Sequence, residues 1–227
     1  LYLLVFLTLQ VSVATSKDLK VAVLKFGSVN WELNVIKHHE IDKSKNISIK
    51  VIPMTNKDAT TLAFLSKAAD VIVTDWIWVS RQRSNGEDFT LVPYSTSSGA
   101  IMVKKESKIK SLLDLSGNKV GIAGGSLDKS WLLLRAYGLK VLGKDLKKYF
   151  TPAFAAPPLI NGLIDNGELD AALNYWNYTA RLKSKDYRKI LTINEILPTL
   201  GIHDPLPLIG YVFRESFADD NKILITK

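Results

Sequence analysis

The residues with the clearest chemical potential sit in short turns. Gly124-Gly125-Ser126 runs into an apolar helical pattern. It offers backbone N–H groups, a hydroxyl and the positive end of a helix, an arrangement suited to an anion. The same residues also make a plain tight turn, and no Gly-Lys-Ser/Thr follows as a phosphate loop requires. Lys129 either supplies a cation to such an anion or stands in solvent. Asp75 binds an amine or caps its own helix. Trp76 and Trp176 either sandwich a ring or cation between them or pack into a core.

Catalytic patterns are missing by comparison. The chain has no cysteine, which removes thiolate chemistry and cysteine metal sites. His38, His39 and His203 have no metal-ligand spacing, and the adjacent pair would point different ways on a helix. No Ser/His/Asp constellation assembles with any specificity. No cofactor is expected.

The elements that position these turns follow from periodicity. Strands are expected at residues 20–25, 47–52 (stopped by Pro53), 70–73, 91–93, 100–103, 119–123, 170–173 and 209–213. Helical patterns open at Trp31, at Asn56 or Thr55, at Asp75, at residue 127 and at Pro157, with another from Trp176 to about Lys183. The helix after Asn56 should bury Ala59, Leu62, Ala63 and Leu65. That over 127–138 should bear Leu127, Trp131 and Leu134, and that after Pro157 should bury Leu159, Ile160, Leu163 and Ile164. Strands alternating with helices predict an α/β fold with largely parallel sheets.

The two parts of the chain resemble each other at a spacing of about 100 residues. Lys20-Val21-Ala22-Val23 matches Lys119-Val120-Gly121-Ile122. Each strand leads to Gly-Ser (Gly27-Ser28, Gly125-Ser126) and then to a helix with an early tryptophan, Trp31 or Trp131. Further on, residues 69–76 (ADVIVTDW) align with 169–176 (LDAALNYW). Two similar α/β lobes are therefore expected, against the alternative of two βα units in one sheet. Ligands of open α/β sheets sit beyond the carboxyl ends of strands. The candidates are Ser28, Asn30 and Trp31; Thr74, Asp75 and Trp76; Gly125, Ser126 and Asp128; and Asn174, Tyr175 and Trp176. Small polar groups interleaved with aromatics suit a small-molecule pocket.

Among 227 residues, 47% are apolar, 23% are charged and the net charge is +8. The basic residues are spread out, which reads as a solvated surface rather than a nucleic-acid footprint. Residues 1–14 (LYLLVFLTLQVSVA) are too short to span a bilayer. They fit the apolar core of a secretory signal peptide over residues 1–16, with a buried first strand as the alternative. Both ends of the chain read as cut. A secreted chain without cysteine folds without disulfides and carries no lipid anchor at a mature N-terminal cysteine. That favours the periplasm of a Gram-negative cell.

Several stretches together resemble the type II periplasmic binding proteins, in the branch that binds nitrate, taurine, sulfonates and thiamine precursors. They are Lys25-Phe26-Gly27-Ser28, Ala69-Asp70-Val71, Ser97-Ser98-Gly99, residues 112–121 (LLDLSGNKVG) and residues 167–172 (GELDAA). The resemblance covers about residues 18–213. It implies two lobes joined by two crossing strands, near residues 99–103 and 210–213, with a ligand closed between them. Lobe 1 would hold 17–101 and 210–227, and lobe 2 would hold 102–209. It adds Ser98 and Gly99 to the ligand candidates, beside Lys129. It also implies a monomer that catalyses nothing and hands its ligand to an ABC permease in the inner membrane. Trp76, Trp78 and Asp128-Lys129-Ser130-Trp131 depart from the pattern of common sulfonate binders, so the expected ligand is a small organic molecule, anionic or ring-containing, whose identity does not carry over from the family. Two further readings share the fold. One is an enzyme of thiamine-pyrimidine synthesis, an intracellular type that depends on a cysteine-rich motif. The other is the input domain of a membrane receptor.

Overall fold

A computed structural model describes residues 18–226. The signal peptide expected over residues 1–16 lies outside the described residues. The first part of the chain runs β1 (Asp18–Leu24), α1 (Val29–His38), α2 (Ile41–Ser44), β2 (Ser48–Met54), α3 (Lys57–Leu65), β3 (Val71–Asp75), α4 (Trp76–Ser84) and β4 (Phe89–Ser95). The second runs β5 (Ala100–Val103), β6 (Lys119–Ala123), α5 (Lys129–Leu142), α6 (Leu146–Tyr149), β7 (Thr151–Ala155), α7 (Pro157–Asp165), β8 (Ala171–Asn174), α8 (Trp176–Lys183), β9 (Arg188–Thr192) and α9 (Ile193–Ile196). The chain ends with β10 (Ile209–Arg214), α10 (Glu215–Asp220) and α11 (Lys222–Ile225).

These strands form two five-stranded sheets of the same design, ordered β2-β1-β3-β10-β4 and β7-β6-β8-β5-β9. Three strands of each run parallel, and the fourth lies antiparallel to its neighbours. This is the α/β fold of two similar lobes that the sequence repeat predicts. The antiparallel strand is supplied from a distance in sequence. β5 opens the second sheet, whereas β10 completes the first only after the second has been built. The chain thus passes between sheets twice, at residues 96–99 and again at 197–208. The two passages lie side by side: Leu208 N donates to Ser95 O at 2.8 Å, and Ile193 N donates to Gly99 O at 3.1 Å.

The repeat read in the sequence is a repeat of bonding. Asp70 N donates to Lys20 O, and Lys20 N donates back to the Asp70 carboxylate, both at 2.9 Å. Asp170 and Lys119 make the same two bonds at 2.9 and 2.8 Å. Each aspartate pins the start of its lobe's third parallel strand against the central one.

Both faces of each sheet are covered, which explains why the strands read as unbroken apolar runs. Val21, Val23 and Val71 pack under α1, while Ala22 and Ile72 face Phe64, Trp78 and Phe89 on the other side. In the second sheet Ile101, Val120, Ile122 and Leu173 pack with Trp131 and Leu134 of α5; Met102, Ala123 and Ala172 pack with Ile160 and Ile164 of α7.

Several local expectations are corrected. Pro53 does not stop its strand but lies within β2, an edge strand with no ladder neighbour on one side, where a missing N–H is tolerated. Leu127 precedes α5 and is exposed, because Asp128 caps that helix. α3 buries Thr60, Ala63 and Phe64 and leaves Leu62 and Leu65 exposed; Leu159 of α7 is exposed as well. The short elements α6, β7, β9, α9, α10 and α11 carry no strong period of their own and are set by packing.

Candidate cleft between the two sheets

The carboxyl ends of β1 and β3, the residues that follow β8, and the first turns of α3 and α5 converge on a cleft of about 820 Å³, including its open mouth. Its apolar wall is Val23, Leu24, Val29, Val73 and Ile209. Polar groups come from both sheets: Ser28, Lys57, Thr60, Thr74 and Asp75 from the first, and Asp128, Lys129, Ser130, Tyr175 and Asn177 from the second. Ser97 and Gly99 line it from the passage between sheets, and Trp176 stands at the mouth.

On the first wall, Asp75 is nearly fully buried and caps α4 by accepting from Trp78 N at 2.8 Å through Oδ1. Its Oδ2 is ion-paired with Lys57 Nζ. Burial opposes ionisation of Asp75, but Lys57 and Lys129 outweigh it and hold the carboxyl below its ordinary value. Burial likewise opposes the charge on Lys57; Asp75 and Asp128 overcome it and raise the ammonium pKa. Both groups are therefore charged at neutral pH.

On the second wall, Asp128 caps α5 by accepting from Ser130 N at 2.9 Å. Its other oxygen accepts from the Tyr175 hydroxyl at 2.9 Å. Burial, and then the Asp128 charge, push that phenol well above its ordinary pKa, so it remains a donor. Lys129 Nζ lies 4.9 Å from the centre of the Tyr175 ring. Gly124 makes this cluster possible. Its φ is +94°, and a methyl there would fall 2.8 Å from the Tyr175 hydroxyl and 2.9 Å from Asp128 Oδ2.

Among the described residues, two buried polar atoms of the lining have no hydrogen-bond partner: Thr74 Oγ1 on one wall and Asn177 Nδ2 on the other. Such atoms are costly unless something binds them. At the mouth, Trp31 and Trp176 meet edge-to-face with ring centres 5.9 Å apart. Beside them the Tyr178 hydroxyl donates to Phe26 O at 3.1 Å, so the two lobes touch here.

Of the residues singled out in the sequence, the cleft brings together Ser28, Thr74, Asp75, Gly99, Asp128, Lys129, Tyr175 and Trp176. The others lie elsewhere. Asn30 spends its amide on Leu24 O and Gly27 O, closing its own turn. Trp31 is half exposed and reaches the cleft only through Trp176. Trp76 does not face Trp176; its indole N–H is buried without a partner, outside the lining. Ser98 Oγ accepts from Asn194 N at 3.3 Å. Ser126 is exposed, and neither it nor Gly125 lines the cleft; the carboxylate of Asp128 already occupies the helix end where an anion was expected. Asn174 is consumed by Pro157 O, Asn161 Oδ1 and Tyr175 N, each at 2.8 Å. Gly99 has a packing role too, since a methyl on it would fall 1.8 Å from Asn174 O.

Lys57, Thr60, Ser130 and Asn177 were missed. Lys57 follows a strand end as the other candidates do, but the helix after Asn56 was read only for its apolar face. Asn177 lies one residue beyond the Trp176 junction. Among the described residues, no three His, Cys, Asp or Glu side chains group to hold a metal. No described helix is long and apolar enough to cross a membrane.

Solved structures share this architecture at low identity. The periplasmic aliphatic sulphonate binding protein SsuA from Escherichia coli superposes with a TM-score of 0.69 at 20% identity, covering 92% of this chain and 65% of that one. The chain thus spans just under two thirds of that protein. The alkanesulfonate-binding protein SsuA from Xanthomonas axonopodis pv. citri, bound to MOPS, gives 0.72 at 17%, covering 92% and 70%. A binding protein component of an ABC phosphonate transporter from Pseudomonas aeruginosa gives 0.66 at 14%, covering 91% and 72%. No curated protein sequence matches significantly. At the level of sequence, a family model described as NMT1/THI5 like matches residues 43–225, which is most of the chain, and the protein belongs to the NMT1/THI5-like family.

Proposed function

We propose that this protein is the extracytoplasmic solute-binding subunit of an ABC importer. It captures a small organic ligand, anionic or ring-containing, in the cleft between its lobes and delivers it to a permease in the inner membrane. It acts in the periplasm as a monomer and catalyses no reaction. The observation that carries this reading is the cleft itself: strand ends of two matched sheets face each other and leave Thr74 Oγ1 and Asn177 Nδ2 without partners. The cleft residues are spoken for in ways that suit binding. Asp75 and Asp128 cap helices, and the Tyr175 phenol is held protonated, so none of them is poised as a base or nucleophile.

Thermal unfolding against a panel of small metabolites tests it. A ligand at about 100 times its Kd should add about 2.7 kcal/mol of stability. Trp176→Ala should weaken that ligand's binding and leave the unliganded melting temperature unchanged. Turnover of any ligand of the panel, or a panel with no stabilising member, would refute the reading.

A further inference from the structure

The two cleft walls each carry one cation and one carboxylate, but they use them differently. On the first wall Lys57 and Asp75 neutralise each other in direct contact. On the second, Asp128 and Lys129 are neighbours in sequence and not partners. Among the described residues no carboxylate lies within ion-pair distance of Lys129, and no cation lies within that distance of Asp128. The Lys129 ammonium rests against the Tyr175 ring. The Asp128 oxygens take only neutral donors, the Ser130 N–H and the Tyr175 hydroxyl. A carboxylate has about four acceptor sites, so Asp128 keeps capacity for a further donor.

The four charged side chains of the lining sum to zero; Arg81, outside the lining, also acts on Lys57. A ligand with one net charge would leave an uncompensated charge in a desolvated cleft, which is expensive. A ligand with one charge of each sign satisfies Lys129 and Asp128 together and keeps the sum at zero. We propose that the cleft selects a small zwitterion, its acid group on Lys129, its ammonium on Asp128 and its apolar part against Val23, Val73 and Trp176. Thr74 Oγ1 and Asn177 Nδ2, one from each wall, take its remaining polar atoms. The opposite wall reinforces both charges: Lys129 acts on Asp75 across the cleft, and Asp128 acts on Lys57. Gly124 and Tyr175 are positioning residues that hold the Asp128 carboxylate and the Lys129 ammonium in place.

This assignment rests on the solute-binding reading, and calorimetric titration of matched probes separates the two. The probes are α-, β- and γ-amino acids and amino-sulfonates, each with its amine-only and acid-only counterpart; L-phenylalanine, phenethylamine and 3-phenylpropionate form one set. At least one zwitterion should bind, with both of its singly charged counterparts at least about tenfold weaker. Lys129→Met should abolish the advantage over the amine, and Asp128→Asn, which retains a helix cap, should abolish the advantage over the acid. A counterpart that binds as tightly as its zwitterion overturns the proposal. So does binding of other metabolites but of no zwitterion, which leaves solute binding standing. Binding of nothing in either panel overturns both. If Asp128→Asn fails to fold, the probe series and Lys129→Met still decide.

Discussion

The two lobes repeat one backbone plan and divide the chemistry between them. Trp31 and Trp131 are each the third residue of the helix after the first parallel strand of their lobe. Trp31 is 50% exposed at the cleft mouth, whereas Trp131 is 1% exposed and packs on Phe150 and Phe154. At the next junction, Asp75-Trp76 stands where Tyr175-Trp176 stands in the other lobe. Asp75 caps its helix and holds a cation; Tyr175 leaves its helix without a side-chain cap and sends its hydroxyl to Asp128. Equivalent positions thus share bonding geometry but not role. Backbone pairing constrains the Lys20–Asp70 and Lys119–Asp170 bonds, while side chains at the strand ends answer only to the cleft and its surroundings.

Mutations at matched positions should separate most widely at the tryptophans. Trp131→Ala should cost about 3–5 kcal/mol by opening a core cavity. Trp31→Ala should stay within about 0.5 kcal/mol, because its ring is half in solvent already. Urea unfolding of both variants measures the gap, and equal losses would erase the distinction.

The ion pair comes next. Asp75→Asn leaves Lys57, whose side chain is only 19% exposed, without its counter-ion, and should cost about 3 kcal/mol at neutral pH. Its pH dependence has a definite sign. The Asp75 pKa is lowered in the folded state, so its contribution is present above the ordinary value of 3.8 and is lost as pH falls through the lowered one. The Lys57 pKa is raised, so its contribution is full below 10.5 and fades as pH rises through the raised value. The difference in stability between wild type and Asp75→Asn should therefore be flat at neutral pH and shrink in acid. Unfolding free energies from pH 3 to pH 8 would reveal a difference that instead grows in acid, contrary to this assignment.

Smaller effects concern the glycine turn. Gly124→Ala should cost about 1–3 kcal/mol, since a methyl there meets both Tyr175 and Asp128. Gly125→Ala should stay within about 0.5 kcal/mol, because nothing lies within 4 Å of the added carbon. Tyr175→Phe should cost about 1 kcal/mol for one lost hydrogen bond. Thermal melts of the three variants would rank them, and a neutral Gly124→Ala would remove the reason given for that residue.

Much of the fold was legible because its signals are local. Apolar runs of strand length, the Asn56 and Asp75 caps, and Pro157 at a helix start each act within a few residues. The lobe repeat was legible because paired strands need the same residues at the same spacing. The weakly patterned elements, such as β7 and β9, were not legible, since their strand state depends on neighbours far away in the chain. In the cleft, the rule of strand ends found Ser28, Thr74, Asp75, Asp128, Tyr175 and Trp176, and Lys129 was found separately by its charge. It missed Lys57, because the helix after Asn56 was read for its apolar face alone.

From residue types and spacing alone came the α/β class, two related lobes, and a set of turns rich in polar and aromatic groups. Those features follow from periodicity and chain connectivity, which the order of residues carries directly. Tertiary structure alone decided which turn residues share a space. It spent Asn30 and Asn174 on local bonds and buried Trp131 while exposing Trp31. It also set Lys57 against Asp75 while leaving Lys129 and Asp128 without ion-pair partners among the described residues. Charge pairing and burial depend on distances between residues up to 152 positions apart, and those distances exist only once both sheets have formed.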